Sequence, residues 1–249
     1  EEDFSSMRLA GELAARTLSY IEDFVRPGVS TEHLNRLCHD FILKNHAIPA
    51  PLGYRGFPKS ICTSVNEVVC HGIPGERSLK EGDIVNIDVT VILSGWHGDA
   101  SRMFFVGDVS CPARTLVEKT KEALSLAIQS VKPGVFLNHI GSVIENFAHK
   151  NKLSVVEDYC GHGIGRSFHT APSVLHYFHP SADLKLSPGM FFTIEPMLNL
   201  GSAKTKTLED GWTVVTMDGS LSAQFEHTIG VTEEGCEVFT VEKGVPYAL

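Results

Sequence analysis

The chain is short of three things: long apolar runs, paired cysteines and positive charge. No hydrophobic stretch approaches the ~20 residues of a membrane span, so no membrane partner is expected. The six cysteines (Cys38, Cys62, Cys70, Cys111, Cys160, Cys236) contain no C-x-x-C pair. That spacing argues against a closed structural zinc site. Scattered single cysteines in a chain of 249 residues suit a reducing compartment. Lysine and arginine total 21 against 30 acidic residues, a net charge of −9. Such a balance argues against a nucleic-acid binder, which normally shows a basic surplus or stripe. The opening residues, Glu-Glu-Asp-Phe-Ser-Ser-Met, are acidic and polar, unlike a secretory leader. No Gly/Ser-rich linker divides the chain, so one compact domain over 1–249 is expected. Hydrophobic content of 43% and mean hydropathy of +0.02 fit a soluble globular protein able to bury a sizeable core.

What is present centres on Asn86 to Arg102. This stretch reads as two β-strands joined by a two-residue turn at Ser94-Gly95. That turn pairs Leu93 with Trp96 and Thr90 with Asp99. Alternation then puts Val85, Ile87, Val89 and Val91 on one face and Asn86, Asp88 and Thr90 on the other. Asp88 and Asp99 become diagonal neighbours on that polar face. Two carboxylates so placed repel unless something positive lies between them. Read alone, the pair is equally compatible with two aspartates on a solvated face.

The chain also repeats itself. A helical pattern over Phe4 to Phe24 ends at Arg26-Pro27-Gly28, and Ser30 or Thr31 can cap a second helix through Ile42. Val25-Arg-Pro-Gly-Val29 returns as Val131-Lys-Pro-Gly-Val135, 106 residues later. At the same offset His33 meets His139, Phe41 meets Phe147 and Asn45 meets Asn151. The preceding helix returns as Thr115 to Val131. Gly82-Asp-Ile-Val-Asn-Ile-Asp88 is echoed by Gly189-Met-Phe-Phe-Thr-Ile-Glu195, each with an acid six positions after the glycine. The first copy runs on to Asp99, and the second to Glu226 in Ala223-Gln-Phe-Glu-His-Thr228. Cys70-His-Gly-Ile73 is echoed by Cys160-Gly-His-Gly-Ile164. Two related halves, about 1–110 and 111–249, would form one sheet backed by helices around a polar cleft.

Five residues stand out as metal ligands: Asp88, Asp99, His162, Glu195 and Glu226. Four carboxylates and one imidazole suit a pair of divalent cations such as Mn²⁺, Fe²⁺, Co²⁺ or catalytic Zn²⁺. Bridging carboxylates hold two such ions about 3.5–4 Å apart, and a water between them becomes a nucleophile near neutral pH. Each ligand has a plainer reading: a loop histidine, a strand end before Pro196, a glutamate paired with a lysine. Gly161-His-Gly-Ile-Gly165 lacks the spacing of a phosphate loop and runs toward Pro172 without a helix.

Together these stretches resemble type I methionine aminopeptidases over nearly the whole chain. The resemblance is carried by the run from Gly56 to Pro74, Asn86-Ile-Asp-Val, Gly98-Asp-Ala-Ser, Cys160-Gly-His-Gly-Ile-Gly, Phe192-Thr-Ile-Glu-Pro-Met and Gln224-Phe-Glu-His-Thr. It implies the α/β (α+β) pita-bread fold, with pseudo-twofold duplicated halves and a curved, mostly antiparallel sheet backed by helices. It implies removal of the initiator methionine from nascent chains when the second residue is small. Asp88 would chelate one metal, Asp99 and Glu226 would bridge both, and His162 and Glu195 would complete the other. The metals would be cobalt, manganese, iron or zinc. Glu195 would also shuttle a proton, His71 would contact the new amine, and His169 would donate to the scissile carbonyl oxygen. Tyr54, Phe57, Cys62, Phe168 and Trp212 match the family's methionine pocket. Phe57 departs from the tyrosine common in relatives and removes one hydroxyl. Asn66, Val68 and Ser222 match a monovalent-cation site of the family.

The family resemblance also implies a monomer that meets nascent N-termini, with the ribosome as a family partner. Neither a type II insertion nor a cysteine-rich N-terminal extension is found, which points to a bacterial cytoplasmic or an organellar form. Two alternatives share the scaffold. Xaa-Pro peptidases and creatinase-like hydrolases usually carry a large extra N-terminal domain. Non-catalytic binding modules are expected to lose ligands, and all five are present here.

Overall fold

A computed structural model describes residues 1–242. Helix α1 (Glu2–Glu22) buries one stripe: Met7, Ala10, Leu13, Ala14, Leu18 and Ile21. The helix ends just before the predicted Phe24, and the Pro-Gly turn follows. Helix α2 (Thr31–Lys44) is capped by Ser30, whose hydroxyl accepts from the His33 N–H at 3.2 Å. Helix α3 (Cys111–Gln129) starts four residues before Thr115 because Ser110 caps it and Pro112 occupies its first turn. Helix α4 (Asn138–Lys150) completes the second pair.

The repeat is visible in the backbone. Gly28 and Gly134 both take left-handed φ, +87° and +82°. Their N–H groups donate to Leu79 O and Leu186 O, each at 2.8 Å. Asn45 and Asn151 both return a side-chain hydrogen bond to the carbonyl four residues back, at 2.8 Å. A left-handed turn strains any Cβ, which accounts for Pro-Gly at both places.

The strands of the first half are β1 (Ile48–Pro49), β2 (Cys62–Val65), β3 (Val68–Cys70), β4 (Ile84–Leu93) and β5 (Trp96–Phe105). The second half supplies β6 (Ser154–Val155), β7 (Gly161–Gly163), β8 (Thr170–Val174), β9 (Phe191–Ile194) and β10 (Met197–Asn199). It continues with β11 (Thr205–Thr207), β12 (Val214–Thr216), β13 (Ser222–Gln224), β14 (Glu226–Val231) and β15 (Cys236–Val238). The main sheet runs β1-β4-β5-β14-β9-β7-β8, with β2 also on β4 and β15 also on β14. Its pairings are antiparallel. Two three-stranded sheets, β13-β10-β6 and β11-β12-β3, flank it.

The β4–β5 hairpin has the expected register: Leu93 faces Trp96, Thr90 faces Asp99, and Asp88 faces Ser101. In the second half, β9 and β10 together take the place of β4. Val155 faces Leu198 just as Pro49 faces Val91. Strands β13 and β14 take the place of β5. Ile194 faces His227 and Met197 faces Gln224, so the intervening register sets Glu195 opposite Glu226. The acids therefore do not correspond one to one. Asp88 matches Glu195, but the counterpart of Glu226 is Ser101, and that of Asp99 is Gln224. A shift of two residues keeps a side chain on the same face, so both acids still point into the cleft. The Cys70 and Cys160 echo also joins unlike positions. Strand β7 lies against β9 as β2 lies against β4, whereas β3 belongs to a flanking sheet.

Two cores lie behind the sheet. Val85, Ile87, Val89 and Val91 pack with Leu13, Leu18, Leu34, Cys38 and Ile42. Phe192, Ile194, Ile229 and Val231 pack with Leu116, Leu124, Ile128, Ile140 and Ile144. Each such side chain contributes about 1.5–3 kcal/mol by leaving water. With α1–α4 committed to that face, the opposite face of the strands is left for polar groups.

Candidate active site

The polar face closes around a cavity of about 590 Å³ whose walls include Asp88, Asp99, His162, Glu195 and Glu226. Asp88 and Asp99 come from the hairpin, Glu226 opens β14, His162 lies mid-β7, and Glu195 follows the end of β9. Neighbouring side chains hold them. Thr90 Oγ1 donates to Asp99 Oδ1 at 2.7 Å. The Thr228 hydroxyl accepts from the Asp99 N–H and donates to its carbonyl, at 3.2 and 2.7 Å. Thr193 links two of the five residues: its hydroxyl accepts from His162 N–H at 3.0 Å and donates to Glu195 Oε1 at 2.8 Å. Gln224 Nε2 donates to Glu195 Oε2 at 3.2 Å, and the Glu195 N–H donates to His176 Nε2 at 3.2 Å.

The His162 ring orientation is informative. Nδ1 lies 3.1 Å from Gly163 O, and a carbonyl only accepts, so Nδ1 carries the proton. Nε2 is then turned toward Asp99 Oδ2 at 3.5 Å and Glu195 Oε1 at 3.7 Å. Asp99, His162 and Glu226 each offer one ligand atom, all within 4.8 Å of one another.

The electrostatics call for a cation. Burial, then the charges of Asp99 and Glu195, push the carboxyl of Asp88 well up from its usual range. Burial and the charges of Asp99, Glu195 and Asp88 do the same to Glu226. Glu195 is raised to about 7 by burial, which His162 opposes and Asp99 reinforces. Burial disfavours the His162 imidazolium, but the hydrogen bond to Asp99 and the charges of Glu195 and Asp99 outweigh it and carry the ring to about 9. Glu226 Oε1 is buried with no hydrogen-bond partner. A desolvated carboxylate oxygen with no donor is costly, and a divalent cation satisfies it. The donor set fits the group: oxygens and one imidazole suit borderline divalent metals.

Above the acids the cavity becomes apolar. Phe57 and Trp212 meet edge to face at 5.2 Å, and Tyr54 lies 4.8 Å from Phe168. Cys62 sits on the wall through its pairing with Asp88. His71, at φ +55°, and His169 border the same space. Asn66 and Ser222 meet away from the cavity, where Ser222 N–H donates to Asn66 O at 3.0 Å, with Val68 two residues along.

The sequence pattern of metallopeptidase family M24 matches residues 5–233. The chain belongs to metallopeptidase family M24. Within this family it is 58% identical to the methionine aminopeptidase of Rickettsia prowazekii (strain Madrid E) over 242 residues, covering 97% of this chain and 93% of that one. It is 55% identical to the Escherichia coli (strain K12) methionine aminopeptidase over 244 residues, covering 97% and 92%. The crystal structure of the Rickettsia prowazekii methionine aminopeptidase superposes with a TM-score of 0.95 over 96% of this chain and 97% of that chain. The prolidase of Pyrococcus horikoshii OT3 shares the fold alone, at 20% identity and a TM-score of 0.77, over 98% of this chain and 63% of that one. The architecture of this M24 chain is thus the pita-bread fold, as its motifs imply.

All twelve residues singled out in the M24 chain for metal, catalysis or the methionine pocket line the one cavity. Other walls were not anticipated: Cys70, Tyr159, Met197 and Gln224. Gln224 was detectable, since it stands two residues before Glu226 and shares its face. Tyr159, edge-on to His71 at 5.5 Å, carries no sequence signal.

Proposed function

We propose that this M24 metallopeptidase removes the N-terminal methionine from polypeptides whose second residue is small. The observation that carries the reading is the partnerless, buried Glu226 oxygen beside Asp99 and His162, at the base of a pocket walled by Phe57, Trp212 and Cys62. Two divalent cations would be held there, one by Asp88, one by His162 and Glu195, and both by Asp99 and Glu226. When bound, they supply Lewis acidity and an acidified water.

The remaining chemistry falls to the chain. Glu195 would take up a proton and return it to the departing amine. His169 donates to the carbonyl oxygen as charge gathers on it. His71 contacts the new amine. The substrate's free α-amine would bind at the metals and their carboxylates, so a blocked or internal residue lacks its anchor. The aromatic walls take the flexible thioether side chain. Nascent N-termini would be met by a monomeric, single-domain enzyme in a bacterial cytoplasm or organelle, at the ribosome, with a monovalent cation near Asn66, Val68 and Ser222.

A peptide panel tests this: Met-Ala, Met-Gly, acetyl-Met-Ala and Ala-Pro peptides against the metal-reconstituted chain. Cleavage of the first two alone is expected. Preference for Ala-Pro, or full activity in a rigorously metal-free preparation, would overturn it.

A further inference from the structure

Tyr54 forms part of the aromatic wall, yet its hydroxyl makes a contact that a wall does not need. Oη lies 2.9 Å from Nδ1 of His169, 115 residues away in sequence. The His169 ring is held on several sides. Phe168 stacks at 4.1 Å and 30°, His162 lies at 4.1 Å and 46°, and the Tyr54 ring lies at 5.1 Å. With Nδ1 engaged, Nε2 is the nitrogen left for the cavity.

A neutral imidazole has one proton, so the nitrogen that accepts cannot also donate. A phenol donates more strongly than it accepts, and an imidazole lone pair is a good acceptor. The Arg55 guanidinium sits 5.3 Å from the centroid of the Tyr54 ring. A cation over the ring draws electron density from it and strengthens the hydroxyl as a donor.

We propose that Tyr54 is a positioning residue, donating its hydroxyl to His169 Nδ1 and so holding His169 as the Nε2–H tautomer aimed at the scissile carbonyl oxygen. The role is separate from Tyr54's place in the side-chain pocket. It rests on the aminopeptidase reading, because only a substrate carbonyl gives the Nε2–H its purpose.

The test uses the full chain loaded with Zn²⁺ and labelled with ¹⁵N-histidine, His169 being assigned by its loss in His169→Gln. Long-range proton–nitrogen spectra are expected to place the ring proton on Nε2. In Tyr54→Phe, which keeps the ring, the proton is expected to divide between both nitrogens. With Met-Ala substrate, kcat is expected to fall about tenfold with KM within about twofold, the worth of one aligned hydrogen bond. In the His169→Gln background, Tyr54→Phe is expected to cost nothing further. A wild-type proton on Nδ1 overturns the proposal. So does an effect confined to KM, an unchanged kcat, or an equal loss with and without His169. Absence of Met-Ala cleavage by the wild type under every metal removes the aminopeptidase reading alone, since the tautomer is read without turnover.

Discussion

Glu226 stands directly opposite Ser101 where β5 and β14 meet, at the seam between the two halves of the duplicated chain. A carboxylate at a seam reaches toward both halves, whereas its serine counterpart carries no charge. On its other side, the register running from β9–β14 into β10–β13 sets Glu226 across from Glu195. This position explains why Glu226 is the acid left with a buried, partnerless oxygen.

Glu226→Gln is expected to separate stability from activity. Removing a buried carboxyl whose ionisation is opposed by burial and by its acidic neighbours should raise the melting temperature of the metal-free chain by a few degrees, about 2–4 °C per kcal/mol at this size. Cleavage of Met-Ala should fall about 10³-fold, matching the several kcal/mol that metal-ion catalysis supplies. Calorimetry and steady-state kinetics on the same preparations check both. A metal-free melting temperature that falls, or activity within tenfold of wild type, would contradict the assignment.

The metal-free chain is expected to lose stability as pH rises. Glu195 is held at about 7, above the ordinary carboxylate value of 4.5, and His162 at about 9, above 6.5. Raised values in the folded state mean that folding takes up protons. This contribution is fully present below pH 4.5 for Glu195 and below pH 6.5 for His162, and is lost as pH climbs through about 7 and about 9. Divalent cation should reverse the trend, because it binds the deprotonated ligands. Thermal unfolding from pH 5 to 9, with and without metal, measures the crossover.

Thr193→Val keeps the shape of the side chain but removes the hydroxyl that joins His162 N–H to Glu195. Metal affinity is expected to drop about 10–100-fold, the usual cost of losing a group that orients ligands. Titration of the chelator-treated chain reads this directly. Chelation itself should abolish cleavage, and added divalent metal should restore it.

Gly98→Ala probes the packing beneath the hairpin. A Cβ there would run into the Ala10 carbonyl and the Gly11 nitrogen of α1. Helix backbone cannot retreat as a flexible side chain can, so a loss of about 1–3 kcal/mol is expected. Denaturant unfolding measures it, and an unchanged midpoint would show that α1 moves freely over β5.

The hairpin register was legible from residues alone because it is local. Ser94 and Gly95 both take positive φ, +52° and +80°, the primed turn that matches strand twist. Two loop residues then set every pair from Leu93–Trp96 to Asp88–Ser101. The Pro-Gly turns and helix pairs of the repeat were legible for the same reason. Helix starts shifted by a few residues where a cap competed with the apolar pattern, as at Ser110. The echo between Cys70 and Cys160 misled because likeness in sequence says nothing of which strand lies alongside.

By itself the sequence determined the alternation that sends valines to one face of the hairpin and aspartates to the other, the duplication, and the family motifs. These depend on neighbours within a few residues. Only the tertiary structure decided that Glu226 matches Ser101 rather than Asp99, that Thr193 joins His162 to Glu195, and that Tyr54 reaches His169. The contacts of His162 with Thr193 and of Tyr54 with His169 cross 31 and 115 residues where loops intervene. Such distances are closed by packing of the two helix-backed halves, and no local rule of the chain encodes them.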